Sequence, residues 1–101
     1  MEIKDLNPSL IWGLFDQITQ VPRPSRKEGK IVEFLLDFAQ KHQLEVHKDE
    51  ALNVIIRKPA TPGKEKLQTV ILQSHTDMVC EKNNDVTFNF ETDPIQTYVD
   101  G

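Results

Sequence analysis

A histidine and an aspartate two positions apart follow an apolar run in the second half of the chain. The run is Val70-Ile71-Leu72, and the pair is His75 and Asp77. Ligands of α/β proteins bind beyond the carboxyl ends of strands, and neutral imidazole is a common zinc ligand. Side chains at i and i+2 of an extended segment point the same way, so Asp77 is placed to orient a ligating His75. On spacing alone, the pair fits either part of a metal site or a polar loop that caps a strand.

Composition limits the classes of function that the chain can serve. The chain has 101 residues and a net charge of −4, and its basic residues form no continuous stripe. This argues against nucleic-acid binding, which needs clustered Lys and Arg. A single cysteine, Cys80, cannot form an internal disulfide, and we assign it no catalytic role. Neither a signal peptide nor a membrane-spanning run is apparent, so the sequence predicts a cytoplasmic protein.

Two helices are predicted in the first 42 residues. Asn7-Pro8 is a typical helix start, and apolar residues at helical spacing after it predict a helix over 8–20. Ser25 and Glu28 form the pattern of a capping box, which predicts a second helix over 26–42. The residues expected to be buried on these helices are Ile11, Phe15, Ile31, Phe34, Leu35 and Phe38.

Short strands are predicted after the helices, at 44–48, 53–57, 69–73 and 94–99, with a solvated loop at 58–68. The continuous apolar run of the third strand favours burial on both faces, as in a sheet covered by helices. The fold class is therefore predicted to be α/β, with two N-terminal helices packed on a mixed sheet of three or more strands. Asp100-Gly101 is a hairpin-turn signal, from which we expect that the chain is the front part of a longer protein.

Several segments resemble a known family of peptidases. "SHTDMV" after an apolar strand, followed by "EKNND" and "FETDPI", is similar to the aminoacyl-histidine (Xaa-His) dipeptidases. These are zinc metallopeptidases of the family that includes acetylornithine deacetylase and the carnosinases. Upstream, "FDQITQVPRPSRKEGKIVEFLLDFA" resembles the family's opening helices and the link between them, and "NVIIRKPAT" resembles its second strand and following loop. The resemblance covers nearly the whole chain.

The resemblance implies a function, a cofactor and roles for two residues. Residues 1–101 would be the N-terminal, truncated part of a metallopeptidase catalytic domain that hydrolyses dipeptides ending in histidine. The cofactor would be zinc, two ions in the complete enzyme, with cobalt or manganese as the alternatives. The histidine matching His75 would bind one zinc ion, and the aspartate matching Asp77 would be a catalytic residue beside the metal. The family's other ligands and its general base lie later in the chain, which implies that this polypeptide alone is inactive.

Two alternatives stay open. The chain could be a non-catalytic α/β module that is truncated or oligomerises, or it could come from another dipeptidase or deacylase of the same metallopeptidase family. The expected partner is a dipeptide substrate in the complete enzyme, and neither nucleic acid nor a membrane is expected. Apolar surface left uncovered at the 69–74 strand predicts self-association.

Overall fold

Two helices and one antiparallel hairpin make up most of the regular structure. The computed structural model describes residues 1–101. Its elements are a short 3-10 helix Ile3–Asp5, α1 Ser9–Thr19, α2 Gly29–Lys41, β1 Glu45–Lys48 and β2 Val54–Arg57. Helix α2 packs against both strands. The predicted α/β class with two N-terminal helices is confirmed. Neither helix has the length and apolar character needed to cross a membrane.

The hairpin forms where the sequence predicts its two strands. β1 and β2 pair with Val46 opposite Ile56 and His47 opposite Ile55. Val46 and Ile56 are half-buried, whereas His47 and Ile55 on the other face are exposed. This alternation is the pattern of a sheet with one covered face, because successive side chains of a strand point to opposite sides.

Helix α2 begins later than the predicted capping box implies. Its N-cap is Glu28, without a side-chain capping bond, and Arg26 has a φ of 73°, outside the right-handed helical region. The Glu28 carboxylate accepts a hydrogen bond from the Arg26 N–H at 2.7 Å. The N–H of Ser25 donates to the Met78 carbonyl at 3.1 Å. The capping-box prediction was wrong because Ser25 is engaged by a segment distant in sequence.

The predicted strands at 69–73 and 94–99 do not form. Val70, Ile71 and Leu72 are 79%, 86% and 93% exposed. A strand is held by the N–H and C=O groups of a neighbour, and no other strand lies beside this run. The sheet therefore has two antiparallel strands, and the prediction of three or more was wrong.

The core is small and lies mainly on α2. The buried apolar residues are Ile3, Ile31, Val32 and Ala39. The predicted burial of Ile31 is confirmed. Phe34, Leu35 and Phe38 are half-buried. Ile11 and Phe15 are 62% and 48% exposed, so their predicted burial was wrong. Helix α1 packs mainly against the short 3-10 helix and not against the hairpin.

Candidate functional site

The segment that carries His75 and Asp77 is attached to the link between the two helices. The Met78 N–H donates to the Arg23 carbonyl at 2.9 Å, and the Ser25 N–H donates to the Met78 carbonyl at 3.1 Å. These bonds form an isolated parallel bridge between Pro24 and Met78. Prolines fix an extended backbone and disfavour helix before them, so the Pro22-to-Pro24 link presents its backbone groups for pairing. The link, and not the edge of a sheet, positions the two side chains.

The imidazole of His75 is oriented by its neighbour. His75 Nδ1 lies 2.9 Å from the backbone oxygen of Asp77 and 3.1 Å from Asp77 Oδ1. A carbonyl oxygen only accepts hydrogen bonds, so the neutral ring carries its proton on Nδ1 and has its lone pair on Nε2. The His75 side chain is 83% exposed. This is the state that a metal-ligating imidazole requires when its other nitrogen is held by a carboxylate or carbonyl.

The carboxylate of Asp77 is bound on its other oxygen by Ser25. The Ser25 hydroxyl donates to Asp77 Oδ2 at 2.5 Å, within the range of short hydrogen bonds to charged acceptors. The bond from Ser25 is the main reason that the pKa of Asp77 is lowered, and the hydrogen bond with His75 lowers it further. Asp77 is therefore ionised at neutral pH. Its two oxygens serve two partners, Ser25 and His75.

Ser25 is the site residue that sequence reasoning missed. We predicted that its hydroxyl caps the second helix, because Ser three positions before Glu matches a capping box. The signal that favours the other role is the preceding Pro22-Arg23-Pro24, which keeps the chain extended up to Ser25.

His75 and Asp77 are side chains of the kind that hold metals, but they do not form a metal site by themselves. No group of three or more His, Cys, Asp or Glu residues is placed to hold a metal ion, and a zinc site uses about four ligands. His75, with an exposed Nε2, fits as one of them. The other histidines lie elsewhere: His42 follows α2 with its ring 4.3 Å from that of Phe38, and His47 is on β1.

A groove of about 450 Å³ lies beside the site. The chain between α1 and α2 contributes Val21 and Pro24 to the lining of the groove. The segment after Met78 contributes Phe88 and Phe90. His75 and Asp77 do not line it. The groove therefore belongs to the surface next to the histidine and aspartate, and does not enclose them.

The loop at 88–95, which contributes to the lining of this groove, is attached to both helices. The Ile95 N–H donates to the Thr19 carbonyl at 3.0 Å. Glu91 forms an ion pair with Lys27, and Lys30 Nζ donates to the Glu91 carbonyl at 2.8 Å. These contacts fix the segment that follows the site to the same part of the fold.

Comparison with known proteins identifies relatives along the whole chain. The chain is 42% identical over 100 residues, 99% of its length, to the cytosol non-specific dipeptidase of Escherichia coli (strain K12). The crystal structure of aminoacylhistidine dipeptidase from Vibrio alginolyticus matches 100% of the chain with a TM-score of 0.95 and 42% identity. The chain is similar throughout to dipeptidases. No family model matches it.

The similarity confirms the resemblance that the sequence motifs indicate. It extends over 21% of each relative, so the chain spans about a fifth of the length of the dipeptidases it matches. A TM-score of 0.95 over the whole chain means that the backbone follows the same path as the matching segment of a dipeptidase. The 75–78 segment and the helix link therefore follow the same backbone path in that dipeptidase.

Proposed function

We propose that residues 1–101 are the N-terminal part of the catalytic domain of a metal-dependent dipeptidase, in which His75 is a metal ligand and Asp77 is a catalytic residue beside it. The observation that carries this proposal is the 42% identity with dipeptidases along the whole chain. The geometry supports it, because His75 has its Nδ1 held by Asp77 and its Nε2 free to bind a cation.

The proposed cofactor is zinc, with two ions in the complete enzyme and cobalt or manganese as the alternative metals. Zinc in such a site supplies an acidified water as nucleophile and polarises the carbonyl of the peptide. The contribution of this chain is to hold one ion through His75 Nε2 and to keep that ring in one orientation through the ionised Asp77. Both contributions depend on residues 75–78 and the helix link. The remaining ligands and the general base come from outside these 101 residues, so the chain alone is inactive.

The proposed substrates are dipeptides, including those that end in histidine. One relative is named for aminoacyl-histidine substrates and the other as non-specific. A panel of Xaa-His dipeptides and matched dipeptides without histidine therefore decides how strict the preference is. The E. coli relative is named a cytosol enzyme, and we propose a cytoplasmic location for this protein too.

A hybrid enzyme tests the function directly. In this hybrid, residues 1–101 replace the matched segment of the E. coli dipeptidase, and the isolated chain is assayed in parallel with zinc or manganese. We expect dipeptide hydrolysis by the hybrid, none by the isolated chain, and loss of the hybrid's activity on metal chelation.

The matched substitutions are His75→Ala and His47→Ala, both at exposed histidines. His75→Ala should lose one of the two zinc ions and nearly all turnover, whereas His47→Ala on β1 should change neither. Equal zinc content and equal turnover in the two variants would refute the role of His75. A folded but inactive hybrid would favour the non-catalytic module, and turnover by the isolated chain that His75→Ala abolishes would refute the inactivity of the fragment.

A further inference from the structure

We infer that Ser25 is a positioning residue of the site: its hydroxyl holds the Asp77 side chain in one conformation, in which a carboxylate oxygen faces the Nδ1–H of His75. The catalytic consequence rests on the proposed dipeptidase function, but the positioning itself is a property of this chain. The Ser25 hydroxyl forms hydrogen bonds with Asp77 and the Met78 carbonyl and none with the His75 ring. We therefore expect it to act on His75 through Asp77.

The hydrogen bonds divide the carboxylate between two partners. Oδ2 receives the Ser25 hydroxyl at 2.5 Å and Oδ1 lies 3.1 Å from His75 Nδ1. An aspartate side chain has three staggered χ1 rotamers and a broad terminal torsion, so without a second anchor it changes conformation more easily. No other side chain donates to Asp77. The Ser25 hydroxyl is therefore the second anchor that keeps a carboxylate oxygen of Asp77 on the imidazole.

The hydroxyl proton has two acceptors within reach, and distance decides between them. The Met78 carbonyl is 3.3 Å from Ser25 Oγ, whereas Asp77 Oδ2 is 2.5 Å away. A serine hydroxyl has a single proton, and the charged acceptor at the shorter distance forms the stronger bond. The proton is therefore directed to Asp77.

The backbone contacts make the role of the hydroxyl separable from the attachment of the segment. The bonds between Ser25 N–H and Met78 O and between Met78 N–H and Arg23 O involve no side chain. Ser25 is exposed, so Ser25→Ala opens no cavity. The alanine variant should thus keep the segment attached and lose only the bond to Asp77.

The experiment measures the χ1 rotamer populations of Asp77 by NMR in the full 101-residue chain, with amide exchange of Met78 as the report on attachment. We expect one dominant rotamer in the wild type and in Ser25→Thr, which keeps a hydroxyl, and averaging among rotamers in Ser25→Ala. The control is Ser74→Ala, an exposed serine next to His75 without a side-chain hydrogen bond, and it should match the wild type. A single Asp77 rotamer in Ser25→Ala would overturn the inference. So would loss of Met78 protection in that variant, because the hydroxyl would then serve attachment.

The catalytic consequence is measured in the hybrid enzyme. Ser25→Ala should lower kcat by about 10-fold, the lower end of the effect of residues that support a metal ligand. KM should stay unchanged because the hydroxyl is not expected to touch substrate, and Ser25→Thr should restore kcat. An unchanged kcat would overturn the catalytic part of the inference. If the wild-type hybrid is inactive, the proposed function fails, and the Asp77 rotamers still decide whether Ser25 positions the carboxylate.

Discussion

Shortening Ile31 to valine should destabilise the chain, whereas the same change at Ile11 should be nearly neutral. Both residues lie on helices and both were expected in the core, but Ile31 is 3% exposed and Ile11 is 62% exposed. Removing one fully covered methylene costs about 0.8 kcal/mol of transfer free energy. The space left behind brings the expected loss at Ile31 to about 1–1.5 kcal/mol.

At Ile11 the same methylene is mostly in water already. Scaling the transfer term by the covered part of the side chain gives a loss of about 0.3 kcal/mol, and solvent fills the vacated space. The small difference in helix propensity between isoleucine and valine applies at both positions, so it cancels in the comparison. The two variants should therefore differ by about 1 kcal/mol in their free energy of unfolding.

Urea unfolding followed by far-UV circular dichroism measures this difference. Valine is the better substitution because only 5 of 101 residues are buried, so the total stability is small and a larger truncation could unfold the chain outright. Each variant is measured at two protein concentrations, which separates folding from association. Equal losses at the two positions, or a larger loss at Ile11, would refute the assignment of the core to α2.

Three further predictions concern the end of α2, the hairpin loop and the exposed apolar run. Gln43, just after α2, has a φ of 55°. Its N–H donates to the Gln40 carbonyl, and the Leu44 N–H donates to the Ala39 carbonyl. This is a Schellman motif, in which the residue at the position of Gln43 is usually glycine. Gln43→Gly should raise the free energy of unfolding by about 1 kcal/mol, whereas Gln40→Gly inside α2 should lower it by about 1 kcal/mol. Urea titrations in which both variants change the free energy of unfolding in the same direction would contradict the left-handed backbone at Gln43. Asp49 accepts hydrogen bonds from the side chain and backbone of Asn53 at 2.9 and 2.8 Å, and these lower its pKa. Because the folded pKa is depressed, this stabilisation is present above the unfolded pKa, about 3.9, and is lost as the pH falls through the folded pKa. An NMR titration should give a higher Asp49 pKa in Asn53→Ala than in the wild type, and equal values would disprove the cause. Finally, the exposed Val70-Ile71-Leu72 run should make the isolated chain self-associate at micromolar concentration. In sedimentation experiments, Ile71→Lys should weaken the self-association more than Thr69→Lys does. A monomeric wild type would argue against the prediction.

Local patterns in the sequence were sufficient for the elements that depend mainly on local interactions. The strands predicted at 44–48 and 53–57 form at Glu45–Lys48 and Val54–Arg57, because alternating side chains and a short connection bring them together without help from distant residues. The predicted helices at 8–20 and 26–42 likewise contain α1 and α2. The periodicity of apolar residues was enough to find both.

The predictions that failed depended on a partner that periodicity does not reveal. The apolar run at 70–72 has the composition of a buried strand, yet it has no neighbouring strand and stays exposed. Ile11 and Phe15 have helical spacing, but they stay 62% and 48% exposed. An apolar pattern indicates which surface is suited to burial, and only the arrangement of the other elements decides whether that surface is covered.

In the candidate site, too, the local contacts could be predicted from the sequence and the contact with a distant residue could not. The His75 and Asp77 pair could be found from its spacing, since i and i+2 residues of an extended segment share a side. The contribution of Ser25 could not, because 52 residues separate it from Asp77 and its local pattern matches a helix cap. All bonds that orient His75 lie among the link at 23–25 and the segment at 75–78. That part of the site is therefore organised within this chain. The proposed hydrolysis would need further ligands and a base that these residues do not bring together. An oriented histidine is therefore compatible with the proposal that the chain alone is inactive.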